Sequence, residues 1–276
     1  MEKALEFIRS YQDGPFFCFL PLAIPHASMH VPEKYAKPFR KSFVEHENKI
    51  GKYKGPNVKN PAAMFAGMMT KLDEGVGEIS ELIKELEIDD DTIVLLSSDN
   101  GPHKEGGHMP NFFDSNGPYR GFKRDLYEGG IRVPLIARWP NKIKPGTSTN
   151  HISAHWDIFP TFCEIAGVEL TEKIDGISFL PALWGKSNQQ DHDYLYWEFS
   201  TQSGQQAVRY GKWKGVKTNL QNGPQPLQLY NLEDDIKELK NVSDGNPNII
   251  KKIESIILNA RTTPSLEKFK IKALDN

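Results

Sequence analysis

The chain has 276 residues, 38% of them hydrophobic and 11% aromatic, with a formal net charge of -2. That length fits one large α/β domain or two smaller ones, at about 100–200 residues each, with a sizeable core. A balanced charge with no dominant basic stretch argues against nucleic acid as the main partner, and no apolar run approaches the roughly 20 residues of a membrane span. The opening stretch MEKALEFIRSYQDGPFF lacks the basic, apolar and small-residue order of a signal peptide. Cys18 and Cys163 stand far apart with no CxxC spacing and read as buried free thiols.

In chain order, Glu2 to Tyr11 reads as the tail of an amphipathic helix, broken at Asp13-Gly14-Pro15. Phe16 to Leu22 reads as a buried strand that ends in Ala23-Ile24-Pro25-His26. Residues 30–61, rich in Lys, Pro and Asn, read as a long surface loop with short helical pieces. From Ala62 to Glu87 the apolar residues Phe65, Met68, Met69, Leu72, Val76, Ile79, Leu82, Ile83 and Leu86 recur at helical spacing, with Gly75 and Gly77 permitting close packing. The acidic turn Asp89-Asp90-Asp91 leads into Ile93–Leu96, a branched apolar run typical of a strand buried on both faces. Helix, tight turn and buried strand make half of a βαβ unit, so the expected fold class is α/β, a mainly parallel sheet flanked by helices.

A glycine-rich loop follows from Gly101 to Gly130, then another apolar strand, Val133 to Pro140. Residues 153–167 read as a helix closed by Gly167, and Asp175 to Gly185 as a short one ending a first domain, residues 1–187. Residues 188–276 change character. Tyr194–Phe199, Ala207–Lys217 and Pro226–Leu232 are short alternating strands, and Asn248–Asn259 carries Ile249, Ile253, Ile256 and Ile257 at helical spacing. They predict a small C-terminal subdomain with an antiparallel sheet and a helix.

In open α/β sheets, ligands sit beyond the carboxyl ends of the strands. His26 ends the first strand and Asp99-Asn100 the second, and the following loop brings His103, Lys104, His108, Arg120 and Lys123. A carboxylate beside an amide oxygen suits Ca²⁺, or Mg²⁺ as the second hard cation, where zinc would prefer His or Cys. Asp-Asn-Gly is equally a good turn, a lone His after Pro is most often a structural hydrogen-bonder, and a single Lys is most often a solvated surface group. The residue types alone leave these readings open.

Taken together, LLSSDNG (Leu95–Gly101) and GPYRGFKRDLYEGGIRVPLIARWPNKIKPG (Gly117–Gly146) closely resemble the formylglycine-dependent sulfatase family of the alkaline phosphatase superfamily. PFFCFLPLAIPH, MMTKLDEGVGEISELIKELEIDDDTIVLLSSDNG, SAHWDIFPTFCEIAG and LYNLEDDIKELKN extend the resemblance over nearly the whole chain. The resemblance implies an alkaline phosphatase-like sheet and a hydrolase of sulfate esters, on a sulfated carbohydrate or an aryl sulfate. It implies that Asp99 and Asn100 are calcium ligands and that Lys123 touches the sulfate. His26 becomes the histidine on the leaving-group oxygen. His108, with His103, Lys104 and Arg120, lies where relatives contact substrate, and Glu128-Gly129-Gly130 is a structural turn. Asn100, where zinc-dependent phosphatases tend to have His, favours calcium and sulfate over a phosphoesterase. Such enzymes usually work outside the cytoplasm, in the periplasm, lysosome or extracellular space.

The family's nucleophile, a formylglycine made in C/S-x-P-x-R, has no counterpart in the chain: neither cysteine is followed by that pattern and no Ser-x-Pro-x-Arg occurs. The Asp-Asp pair that completes the family's calcium shell is missing as well. The expectation is therefore a C-terminal portion of a sulfatase, whose partner is the missing N-terminal half and whose formylglycine lies there. Asp99 and Asn100 supply at most about three of the 6–8 oxygens Ca²⁺ takes. Loss of a covalent nucleophile costs a factor of about 10⁴ or more, so the chain alone should be inactive. The alternative is a non-catalytic module or pseudoenzyme binding sulfated glycans through Lys123, Lys104, His108 and Arg120.

Overall fold

The computed structural model describes residues 1–275. In chain order its helices and strands are α1 (Glu2–Tyr11), α2 (Glu33–Ser42), β1 (Ile50–Gly51), β2 (Val58–Lys59), α3 (Pro61–Glu85), β3 (Val94–Ser97), α4 (Pro110–Phe113), α5 (Glu128–Ile131) and β4 (Leu135–Arg138). There follow α6 (Ile158–Ile165), α7 (Leu180–Leu183), β5 (Leu195–Phe199), β6 (Gln205–Tyr210), β7 (Trp213–Lys217), β8 (Gln228–Asn231), α8 (Pro247–Ala260) and α9 (Lys272–Asp275). The chain forms two compact units that interleave in sequence: Met1–Leu96 with His103–Ser115 and Ile136–Pro145, and Ser97–Pro102 with Asn116–Leu135 and Gly146–Asn276. No helix among the described residues is long and apolar enough to cross a membrane.

In the first unit, the helical period read from Ala62 onward is α3. It starts at Asn60, whose side chain accepts from the Ala63 N–H at 3.0 Å. Pro61 follows at the first helical position, where its missing N–H costs nothing. Its buried face packs Met64 and Met68 with Met29, Ala36 and Val58. Gly67 lets α2 approach: a Cβ there would lie 2.9 Å from the Tyr35 carbonyl carbon. Residues 30–61 thus hold a ten-residue helix, α2, where the polar composition predicts mostly loop. Pro38 lies inside α2, and of its residues only Ala36 is buried.

The strand expected at Phe16–Leu22 is not formed. Those residues pair with no strand among the described residues, and Phe17 and Phe19 are 67% and 77% exposed. Burial alternates along them as in a strand, but a strand is completed by ladder hydrogen bonds from a neighbour. Where the sequence predicts a mainly parallel sheet, the described residues form a two-stranded sheet of β3 and β4, and the larger sheet among them is antiparallel. Arg138 on β4 is bidentate to Asp89, at 2.5 and 2.8 Å, which ties the acidic turn before β3 to that sheet.

The second unit contains the antiparallel sheet β5-β6-β7-β8. Side chains on one strand alternate between its faces. On one face Val208, Leu227 and Leu229 pack against Ile253, Ile256 and Ile257 of α8. Gly215 makes room there, since a Cβ would meet Ile253 Cγ2 at 2.8 Å. On the other, Ala207, Val216, Tyr230 and Leu232 cluster with Leu126 and Tyr127 of the glycine-rich loop. The sheet is therefore a two-sided platform, with a helix on one face and the 117–131 loop on the other.

Candidate functional site

β3 runs into a tight turn at Ser98–Gly101. Ser98 Oγ donates to Asn100 O at 3.0 Å, and Asn100 Nδ2 donates to Gly101 O at 2.9 Å. His155 Nε2 is 2.7 Å from Ser98 O, and Ser97 Oγ donates to Pro134 O. These bonds fix the backbone and leave the oxygens outward: Asp99 is exposed, and its carboxylate and the Asn100 Oδ1 have no hydrogen-bond partner among the described residues.

The turn is then stitched to the lysine loop. Gly101 N–H donates to Gly130 O at 2.9 Å, Lys123 N–H to Pro102 O at 2.9 Å, and Gly129 N–H to Arg120 O at 2.6 Å. A Cβ on Gly101 would fall 1.9 Å from Gly129 O, and one on Gly130 2.1 Å from Asp125 O. Only glycine fits such close backbone approach. Asp125 Oδ2 accepts from the Phe122 N–H at 2.9 Å, closing the loop that presents Lys123. The half-buried Lys123 side chain makes no ion pair or hydrogen bond among the described residues, so its ammonium is available to an anion. Arg120 is occupied differently: its guanidinium stacks 3.8 Å from the Tyr127 ring centroid and donates to Glu238 O at 2.7 Å and to Tyr230 Oη at 3.2 Å.

The three sequence-predicted histidines lie in the first unit. His26 is exposed and its Nδ1 contacts Ala27 O. Its ring centroid is 5.9 Å from that of His103, which is 4.9 Å from that of His108. His103 Nε2 is 3.1 Å from Pro25 O and Nδ1 3.4 Å from Glu105 Oε2. His108 is buried and stacks on Phe65 with centroids 3.9 Å apart, and its Nδ1 is 2.7 Å from His103 O. Burial pushes its pKa down to about 4, so the imidazole is neutral at physiological pH. Lys104 is exposed beside this row.

The pairing of a carboxylate with an amide oxygen fits a hard cation in kind. Among the described residues no group of three or more His, Cys, Asp or Glu could hold a metal ion. Asp99 and Asn100 are thus a partial oxygen set. Cys18 and Cys163 are free and partly buried.

Sequence reasoning missed the support beneath the lysine loop. Lys214 on β7 is fully buried, 2.7 Å from Glu128 Oε1 and 4.0 Å from Glu238 Oε1. A signal was available: Lys214 shares the strand parity of Val216, so an alternating strand sends it to a packed face.

Two family models match the chain. One described as "Sulfatase" covers residues 1–168, and one described as "N-sulphoglucosamine sulphohydrolase, C-terminal" covers residues 117–262. The human steryl-sulfatase is 38% identical over 198 residues, 70% of this chain and 30% of that protein. The N-acetylgalactosamine-6-O-sulfatase of Bacteroides thetaiotaomicron is 29% identical over 283 residues, 94% of this chain and 50% of that protein. The crystal structure of Ps i-CgsB in complex with k-i-k-neocarrahexaose superposes with a TM-score of 0.76 at 26% identity, over 94% of this chain and 53% of that one. The chain spans about half the length, or less, of the relatives it matches.

Proposed function

The chain belongs to the sulfatase family, and from that premise we propose that it is the C-terminal portion of a sulfate-ester hydrolase, inactive until joined to the N-terminal half. The observation that carries the reading is the strand-end turn. Two unpartnered oxygen donors, Asp99 and Asn100, are held by backbone bonds to the loop that offers the unpaired Lys123. Hard oxygens for a divalent cation and a free ammonium for an anion are what a sulfate ester requires.

Asp99 and Asn100 are the residues that would hold Ca²⁺, or Mg²⁺; the ion supplies positive charge against the sulfate oxygens. Lys123 binds and orients the same oxygens. For His26 the proposed role rests on the family resemblance alone: a proton given to the departing alcohol oxygen, at which negative charge develops. Arg120 and His108 serve as supports, given the stacking and burial described above. The nucleophile, a formylglycine, and the remaining calcium ligands belong to the N-terminal half. The substrate is a sulfated carbohydrate or an aryl sulfate: an N-acetylgalactosamine-6-O-sulfatase matched along most of the chain and the Ps i-CgsB structure with k-i-k-neocarrahexaose support the first, and an arylsulfatase H relative supports the second. By the family resemblance, the proposed site of action is outside the cytoplasm.

The test compares the purified chain with the chain preceded by a segment carrying C/S-x-P-x-R and the Asp-Asp pair. Sulfate release is followed with and without Ca²⁺. The chain alone should release none, and the joined enzyme should turn over in a metal-dependent way. Robust turnover by the chain alone, abolished by His26→Ala, overturns the incompleteness. A joined, formylglycine-bearing enzyme that cleaves phosphate esters but no sulfate ester overturns the reaction class. Salt-sensitive binding of sulfated glycan by the chain, with no turnover by the joined protein, would favour a binding module.

A further inference from the structure

The loop that carries Lys123 does not stand on apolar contacts alone. The face of the C-terminal sheet that receives it presents polar groups from three strands. From β6, Gln205 Oε1 accepts from the Leu126 N–H at 3.2 Å and Nε2 donates to Arg124 O at 2.8 Å. From β8, Gln228 Oε1 accepts from Tyr127 Oη at 2.8 Å. From β7, the ammonium of Lys214 meets Glu128 Oε1 at 2.7 Å. Glu238, in the segment after β8, accepts from the Glu128 N–H at 2.8 Å through Oε2 and is itself fully buried.

A fully buried lysine between two acidic side chains is an uneconomical way to hold a sheet together. Buried ion pairs replaced by apolar residues of similar volume are often as stable or more so, because the desolvation cost vanishes. What the cluster adds is direction. Burial pushes the Glu128 carboxyl up, but the Lys214 ammonium outweighs it, aided by Arg209 and Arg132, and the net shift is downward; Glu128 is ionised. An ionised, hydrogen-bonded Glu128 has one place to sit, and it opens the short helix α5. Gly129 and Gly130 follow it directly, and these two residues hold the Asp99–Asn100 turn and the Arg120–Asp125 loop by backbone contact.

We propose that Lys214, with Glu128 and Glu238, positions the sulfate site: it locks α5 onto the C-terminal sheet and through Gly129 and Gly130 sets the register of Asp99, Asn100 and Lys123. The inference rests on the functional reading above for what the site does, but its test needs no substrate. Amide hydrogen exchange is measured on the full chain for wild type, for Lys214→Met, and for the triple variant Lys214→Met, Glu128→Leu, Glu238→Gln. The triple variant removes the three charges of the cluster together, leaves Arg209 its bond to Gly211 O, and keeps an acceptor for the residue-128 N–H, so it keeps the fold if the single variant does not.

Exchange at the amides of Gly101, Lys123, Gly129 and Gly130 should rise at least about tenfold, which corresponds to about 1.4 kcal/mol of local opening. The amides of Ile256 and Ile257 in α8, on the opposite face of the sheet, should be unchanged. Wild-type exchange at Gly101 and Lys123 in the folded triple variant overturns the proposal. So does a uniform rise that includes α8, which would mean stability alone. A site-limited rise together with a joined enzyme that cleaves no sulfate ester would refute the function and leave the positioning role intact.

Discussion

Gly101→Ala tests the stitching of the turn most sharply. The new methyl would lie 1.9 Å from Gly129 O, 2.9 Å from Gly129 C and 3.0 Å from Gly130 Cα, where ordinary contact begins near 3.4 Å. All three are backbone atoms, so no side chain can rotate away. The far side is also closed: Gly129 N–H already lies 2.6 Å from Arg120 O. Relief requires the turn to move outward, which breaks Gly101 N–H to Gly130 O and Lys123 N–H to Pro102 O. Two backbone hydrogen bonds at about 1 kcal/mol each, plus about 1–3 kcal/mol of overpacking, give about 3–5 kcal/mol. The assay is urea unfolding of the chain, with Gly77→Ala as the contrast. Gly77 is exposed within α3 and has nothing within 4 Å of its Cβ position, so that change should stabilise by up to about 1 kcal/mol. A Gly101→Ala protein within 1 kcal/mol of wild type would refute the argument about backbone approach.

His108 binds its proton less readily folded, at about 4, than the ordinary 6.5, so the unfolded chain takes up more protons between those values. Its contribution is present above pH 6.5 and lost as pH falls to 4, by about 3 kcal/mol; His108→Phe should flatten that part of the stability–pH curve. Glu238 has the opposite sign. Burial raises its pKa to about 7, so the folded chain holds a proton the unfolded chain has released, and its contribution, complete below pH 4.5, is lost as pH rises to 7. Glu238→Gln should remove that slope in denaturation measured at pH 5 and pH 8. Asn60→Ala removes the cap on the Ala63 N–H and bonds to Phe43 O and Glu47, and puts alanine at a φ of 49°. It should destabilise by about 2–3 kcal/mol in thermal or urea unfolding, more than Asn60→Gly, which keeps the backbone geometry.

Long periodic segments were readable from the chain. Met68, Leu82 and Ile83 at helical spacing foretold α3, and Ile253, Ile256 and Ile257 foretold α8, because one buried stripe needs only local sequence to be seen. Phe16–Leu22 misled because an apolar run says how a segment would be buried and says nothing of a neighbour to bond it. α2 was obscured by Pro38 and the scattered Lys34, Lys37 and Lys41, since a helix with a single buried residue carries almost no apolar signature. Asp99, Asn100 and Lys123 stand out only through the resemblance; as residue types alone Asp99 and Asn100 fit a turn, which is what the backbone makes there, and Lys123 fits a solvated surface group. Nothing in Glu105-Gly106-Gly107-His108 shows that Phe65 would stack on the imidazole, and nothing near Glu128 shows that Lys214 would meet it. Those contacts join residues 43 and 86 positions apart and exist only once the chain has folded.

Whether Lys123 serves a sulfate ester is decided by sulfate release from the joined enzyme, wild type against Lys123→Ala, on 4-nitrocatechol sulfate with 4-nitrophenyl phosphate as the competing ester. Ca²⁺-dependent sulfate release with a preference for the sulfate ester is expected, with a loss of about 10²–10³ in kcat/KM for Lys123→Ala. Equal turnover by the variant, or hydrolysis confined to the phosphate ester, would contradict that role.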